Sequence, residues 1–205
     1  MIKKTIDGIF IPKSGELEYG VSFALFQKDN YKQLFEAVEN FYSGNDILDE
    51  FIREAHRHTE CITYLFMKDR EVLAYCSMSC SAIFIDEPDA EGKPTSILHP
   101  AIEFRYFAVR KKYQMKKFEG VDIGVSSYIF KKCLLYAYHI SQNGMAAEYF
   151  VLHAKNEDRV RKFYRNHSFA EFMPGMRSLT DITFADCVPA FLKIPSSEEI
   201  YGEQS

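Results

Sequence analysis

Residues 101–114 read AIEFRYFAVRKKYQ, and the fold turns on how this stretch is understood. Aromatic and branched apolar residues carry it to Val109, a composition that favours a strand. It then drops into Arg110, Lys111 and Lys112, with Lys116 and Lys117 close behind. A strand that stops in a cation cluster is a solvated turn, a nucleic-acid contact or a seat for a phosphorylated ligand. The segments on either side have to separate these readings.

Downstream, SSYIFKKCLLYAYHIS (126–141) has apolar residues at helical spacing, with Ser126 or Ser127 as N-cap and Gly144 after its end. AEYFVLHA (147–154) is a predicted strand and EDRVRKFYRNH (157–167) a short amphipathic helix. CVPAFLKI (187–194) is a last strand, whose Pro189 points to a sheet edge. Upstream, VSFALF (21–26) is a strand after a turn-rich start. Helical patterns follow over 28–42 and from Ile47 to Ala55. CITYLFMK (61–68) and EVLAYCSMSCSAIFI (71–85) form a hairpin across Asp69-Arg70, and DEPDAEGKPTSILHP (86–100) reads as a polar loop. The order is strand, two helices, three strands, helix, strand, helix, strand. That is a mixed α/β (α+β) pattern in which a ligand sits where a strand's carboxyl end meets a helix's amino end.

A chain of 205 residues fits one domain, 1–205, with 1–19 and 195–205 as peripheral segments. Eighteen Phe and thirteen Tyr supply large apolar area. The net charge of −4 argues against a nucleic-acid partner, since such domains tend to be basic. Five cysteines with no C-x-x-C pair do not form a disulfide framework or a zinc site, and the six histidines read as surface residues. No signal peptide is recognised, and no run reaches the ~20 apolar residues that span a bilayer. The expected location is cytoplasmic, with no membrane partner; a homodimer is compatible with the sequence.

A helix amino terminus carries partial positive charge and unpaired N–H groups, so it suits phosphate. In DIGVSSY, Gly124 and two small hydroxyl residues offer such a seat, with Arg110 and the lysines upstream adding long-reach charge. The succession IEFRYFAVRKKYQ, a small-residue loop, a helix, EYFVLHA and RKFYRNHSF resembles the GNAT superfamily of acyl-CoA-dependent N-acyltransferases. The resemblance covers 101–173. It implies a GNAT-like mixed central sheet of six to seven strands flanked by about four helices, with acetyl-CoA as cosubstrate and no metal. Two departures stand out. Nine residues, MKKFEGVDI, separate Gln114 from Gly124, and Ser168 stands where the family has glycine before phenylalanine.

The resemblance also implies site residues. The thioester carbonyl would be held by backbone N–H groups around Phe107, Ala108 and Val109, where such donors stabilise an oxyanion. Cofactor contacts would fall on Lys111, Gln114, Gly124, Val125, Ser126, Ser127 and Asn156. At pH 7 about one in two thousand lysine-like amines is neutral, so a base is useful. Glu103 is that candidate, with Arg105 on the same strand face as the alternative ion-pair partner. Tyr164, in KFYR, is the candidate acid for the leaving thiolate. The implied function is acetyl transfer from acetyl-CoA to a primary amine by direct transfer, on a small molecule or a protein. A degenerate acyl-CoA-binding module that senses without reacting is the alternative. The segments 86–100 and MPGMRSLTDITFAD (173–186) would flank the acceptor, and their acidic residues point to a cationic one.

Overall fold

A computed structural model describes residues 13–143, 146–179 and 186–195. Residues 1–12 and 196–205 of the expected peripheral segments, Gly144, and 180–185 of the acceptor-side segment lie outside them. The chain divides into two compact units, residues 1–78 with 106–145 and residues 79–105 with 146–205. Two long strands, β4 (Glu71–Pro88) and β5 (Pro94–Val109), contribute to both.

In the first unit β1 (Ser14–Glu16), β2 (Ser22–Phe26), β3 (Ile62–Lys68) and the start of β4 pair antiparallel in that order. The β3–β4 hairpin turns on Asp69 and Arg70, both at positive φ (50° and 65°). That is the type I′ geometry whose twist matches the flanking strands. Helices α1 (Tyr31–Glu39) and α2 (Asp46–Glu54) bury Val38 and Ile52 against Phe26, Leu65, Tyr75 and Ala108. The Asn45 side chain caps α2 by accepting from the Ile47 and Leu48 N–H groups. Helix α3 (Val125–Asn143) starts at Val125, ahead of both serines proposed as its cap.

In the second unit β5 runs parallel to β6 (Tyr149–Lys155), which pairs antiparallel with β9 (Cys187–Lys193). Helix α4 (Asp158–Arg165) follows β6. Two short strands missed by the pattern reading, β7 (Ala170–Glu171) and β8 (Met176–Ser178), pair with β9 and β4. Ile83, Ala101, Val151 and Met176 form a buried cluster. The fold is α+β, a mixed sheet with, among the described residues, four α-helices.

Two local expectations change. The polar loop 86–100 is mostly strand, because β4 continues to Pro88 and β5 begins at Pro94. Only five residues turn the chain, fixed by Asp89, whose carboxylate accepts from the Glu91 and Lys93 N–H groups. Pro189 is not on an outer strand, since β9 lies between β6 and β7. Its carbonyl accepts from the Phe172 N–H, beyond the last β7 pair, and the missing Pro N–H faces that same side. Among the described residues no helix is long and apolar enough to cross a membrane.

Candidate active site

The cation cluster after β5 separates into two roles. Arg110 is buried, contrary to the long-reach role expected of it. Its guanidinium donates to the carbonyls of Val72 (2.7 Å), Asn40 (2.6 Å) and Ala37 (3.5 Å). Ala37 and Asn40 close α1, so Arg110 caps the negative end of that helix. Glu71 receives Arg110 at 3.4 Å, Lys112 at 2.7 Å and the Tyr113 hydroxyl at 2.9 Å. Burial pushes the Glu71 carboxyl up, but these three partners together outweigh it and hold it below its ordinary value. Lys111 is exposed, and its N–H donates to Tyr42 O. The Gln114 side-chain amide donates to the carbonyls of Ser43 (2.8 Å) and Val109 (2.9 Å), so it braces the strand end. Ala108 and Val109 are buried, and the Phe107 ring meets Phe130 of α3 at 5.0 Å.

The nine residues between Gln114 and Gly124 fold back on themselves. Lys117 and Gly124 form an antiparallel bridge, and the Phe118 N–H donates to Ile123 O at 3.0 Å. Phe118 is buried, stacked on Tyr19 at 4.9 Å and edge-on to Tyr128 at 5.3 Å. Lys117 pairs with Asp122, and that hydrogen bond holds the Asp122 carboxyl below its ordinary value. Tyr128 hydrogen-bonds Glu18, which Lys132 also reaches at 3.0 Å; these two hold Glu18 down to about 2. The start of α3 is thereby fixed. The Val125 N–H donates to Lys116 O and the Tyr128 N–H to Gly124 O, both at 2.9 Å. A helix leaves its first N–H groups without intrahelical partners, which singles out those of Ser126 and Ser127. A Cβ placed on Gly124 would meet only Lys116 O, at 4.0 Å. The chain itself does not crowd this glycine.

The other candidates belong to the second unit. Among the described residues the β5–β6 ladder ends at Phe104–Leu152, although β5 runs on to Val109. Glu103 is buried, with Oε1 3.4 Å from His153 Nδ1 and Oε2 accepting from the Ser79 hydroxyl at 3.4 Å. His153 is thus no surface residue. Pattern reading passed over it because a histidine in EYFVLHA shows its facing strand only once the register is known.

Tyr164 sits in the last turn of α4. The Phe169 N–H donates to Tyr164 O (3.1 Å) and the Ser168 N–H to Arg165 O (3.0 Å), the two bonds of a Schellman cap. Its left-handed position is Ser168, at φ 67°. The ring of Phe169 returns to Tyr164 at a centroid distance of 6.2 Å, which seats the tyrosine against the cap. The serine explains why a glycine suits this point, and Ser168→Gly should stabilise the protein by about 0.5–1 kcal/mol in thermal or urea denaturation. Tyr164 shares a shallow depression with Ala154, Arg161 and Glu171. Arg161 binds Glu171 at 2.6 Å and reaches Asn156 Oδ1 at 3.5 Å. Asn156 is exposed.

Strand alternation fixes the relation between the two catalytic candidates. Phe104 meets Phe150 and Phe169, and Ala154 lines the depression beside Tyr164. These side chains share one face of the β5–β6 pair. Glu103 and His153, one residue out of step, occupy the other.

No family model and no curated protein matches the sequence. Solved structures do match. A bacterial toxin aligns at TM-score 0.62 and 19% identity over 85% of this chain and 90% of that one. AtaTR, solved with acetyl-CoA, aligns at 0.60 and 14% over 85% and 94%. KacTA, solved with DNA, aligns at 0.59 and 12% over 89% and 99%. The fold is GNAT-like. At these identities the likeness establishes the fold alone. It also corrects one expectation. The acidic total argues against nucleic acid, yet chains of similar fold are solved with DNA and, for AtaT, with acetyl-methionyl-tRNAfMet. Net charge averages the whole surface, whereas phosphate contacts need only a local patch.

Proposed function

We propose that the chain acts as one acyltransferase domain that moves an acetyl group from acetyl-CoA to a primary amine. The observation that carries this is Tyr164, clamped by the Schellman cap that closes α4, the helix after β6, at the place where the resemblance puts the acid for the thiolate. Acetyl-CoA fits the residues at the start of α3. The open side of Gly124, the N–H groups of Ser126 and Ser127, and exposed Lys111 and Lys116 would receive the diphosphate. Asp122 would oppose it but is already neutralised by Lys117. In the first unit the backbone N–H groups of Phe107 to Val109 would hold the thioester carbonyl; Asn156, in the second, is the other cofactor contact that the resemblance implies.

Glu103 would take the proton from the amine, and Tyr164 would give one to sulfur. Their places on opposite faces of β5–β6 suit this division, since the two protons move at different substituents of one carbon. For the acceptor, the AtaT complex with acetyl-methionyl-tRNAfMet supports the α-amine of an aminoacyl-tRNA as the first choice, ahead of a free or protein-borne amine.

The test is thiol release from acetyl-CoA with a panel of aminoacyl-tRNAs, peptides and polyamines, run beside calorimetric binding of CoA. Turnover with aminoacyl-tRNA supports the full reading, and turnover only with other amines moves the acceptor. Binding without turnover on every amine would leave an acyl-CoA sensor. Lys116→Ala should weaken CoA binding about threefold to tenfold at low salt, the effect shrinking as salt rises. Lys112→Ala, whose ammonium is committed to Glu71, should leave Kd unchanged.

A further inference from the structure

A buried carboxylate is costly unless its oxygens are answered. Glu103 is 3% exposed, and one side chain from each adjacent strand faces it: Ser79 of β4 and His153 of β6. Across from His153 on β9 stands Pro189, and Arg105, two positions beyond Glu103, is exposed. His153 Nε2 is itself buried and, among the described residues, has no hydrogen-bond partner. A proton on that nitrogen would be a buried donor without an acceptor, which is unfavourable. The favoured tautomer therefore carries its proton on Nδ1, toward the carboxylate.

We propose that His153 is a positioning residue for the base: its Nδ1–H holds the Glu103 carboxylate, which takes the proton from the acceptor amine. This rests on the acyltransferase reading above. The ammonium loses one proton to the Glu103 carboxylate, which later releases it to solvent. The freed nitrogen lone pair forms the C–N bond as the C–S bond breaks. A second proton leaves the new amide nitrogen and makes good the one that Tyr164 gives to sulfur. Nothing is oxidised or reduced. Base and brace serve one proton transfer, so removing either should disable the same step.

The experiment compares His153→Gln, Glu103→Gln and the double variant of the full chain, with an amine that the wild type acetylates, and adds 15N NMR of histidine-labelled protein. Glu103→Gln should lower kcat about 100-fold to 10,000-fold. His153→Gln should lower it about 10-fold to 100-fold and alter the rising limb of the pH–kcat profile, with KM for acetyl-CoA unchanged. The double variant should fall within about twofold of Glu103→Gln alone. The wild-type His153 spectrum should show a protonated Nδ1 and a bare Nε2. Losses that multiply independently, or a wild-type Nε2–H tautomer, overturn the proposal. Should the wild type acetylate no amine while the Nδ1–H tautomer is present, the acyltransferase reading has failed and the pair has not.

Discussion

Arg110→Met should lower stability by about 3–5 kcal/mol, a fall of about 10 °C in melting temperature for a chain of this length. The loss has a definite source. The guanidinium satisfies carbonyls of Ala37 and Asn40 at the end of α1 and of Val72 in β4, and it lies 5.5 Å from the Phe41 ring centroid. Methionine fills much of the same space but leaves buried acceptors unanswered, each worth about 1–3 kcal/mol. Arg110→Lys should recover little, because one ammonium cannot reach acceptors spread around a planar fork. The pH dependence has a fixed sign. Glu71 has a depressed pKa, so its contribution is present at neutral pH and is lost as pH falls below the ordinary carboxylate range. The gap between wild type and Arg110→Met should therefore narrow in acid. Urea denaturation at two pH values measures both effects, and a loss under about 1 kcal/mol at neutral pH would mean that Arg110 is a solvated cation.

The history of this one residue shows where sequence reading stops. Periodicity over 126–141 and 147–154 located α3 and β6 because each buries a face whose repeat is written locally. The β3–β4 hairpin was legible from two strand-like runs separated by Asp69-Arg70. Arg110 was not legible as a helix cap, because its partners lie 38 to 73 positions away in sequence. The arm at 86–100 was hidden by Pro88 and Pro94, which look like breakers but stand at the ends of strands. Ser168 departs from the glycine that the resemblance implies, and its positive φ supplies the reason that glycine suits the place. Glu103 is a candidate only through what the GNAT resemblance implies. His153 could not be named, since the register Glu103↔Val151, which sets it two positions past the carboxylate's partner on the same face, is a property of the assembled sheet.

Tyr164→Phe should lower kcat about tenfold to a thousandfold while leaving the Kd for acetyl-CoA within about twofold. Phenylalanine keeps the ring that packs on Phe163 and Phe169, and the Schellman bonds are made by backbone, so the corner should stay intact and the loss belongs to the hydroxyl. A tyrosine of ordinary pKa near 10 gives its proton to a thiolate near 8.5 at a cost of about 2 kcal/mol, which positioning can offset. This account makes a second prediction that a packing role would not. A thioester whose thiol is far more acidic leaves as thiolate without help. The penalty of Tyr164→Phe should then shrink toward unity with an aryl thioester of acetate, while Glu103→Gln, acting on the amine, keeps its full penalty. An equal loss with both thioesters would remove Tyr164 from proton transfer, and unchanged turnover with acetyl-CoA would remove it from the mechanism altogether.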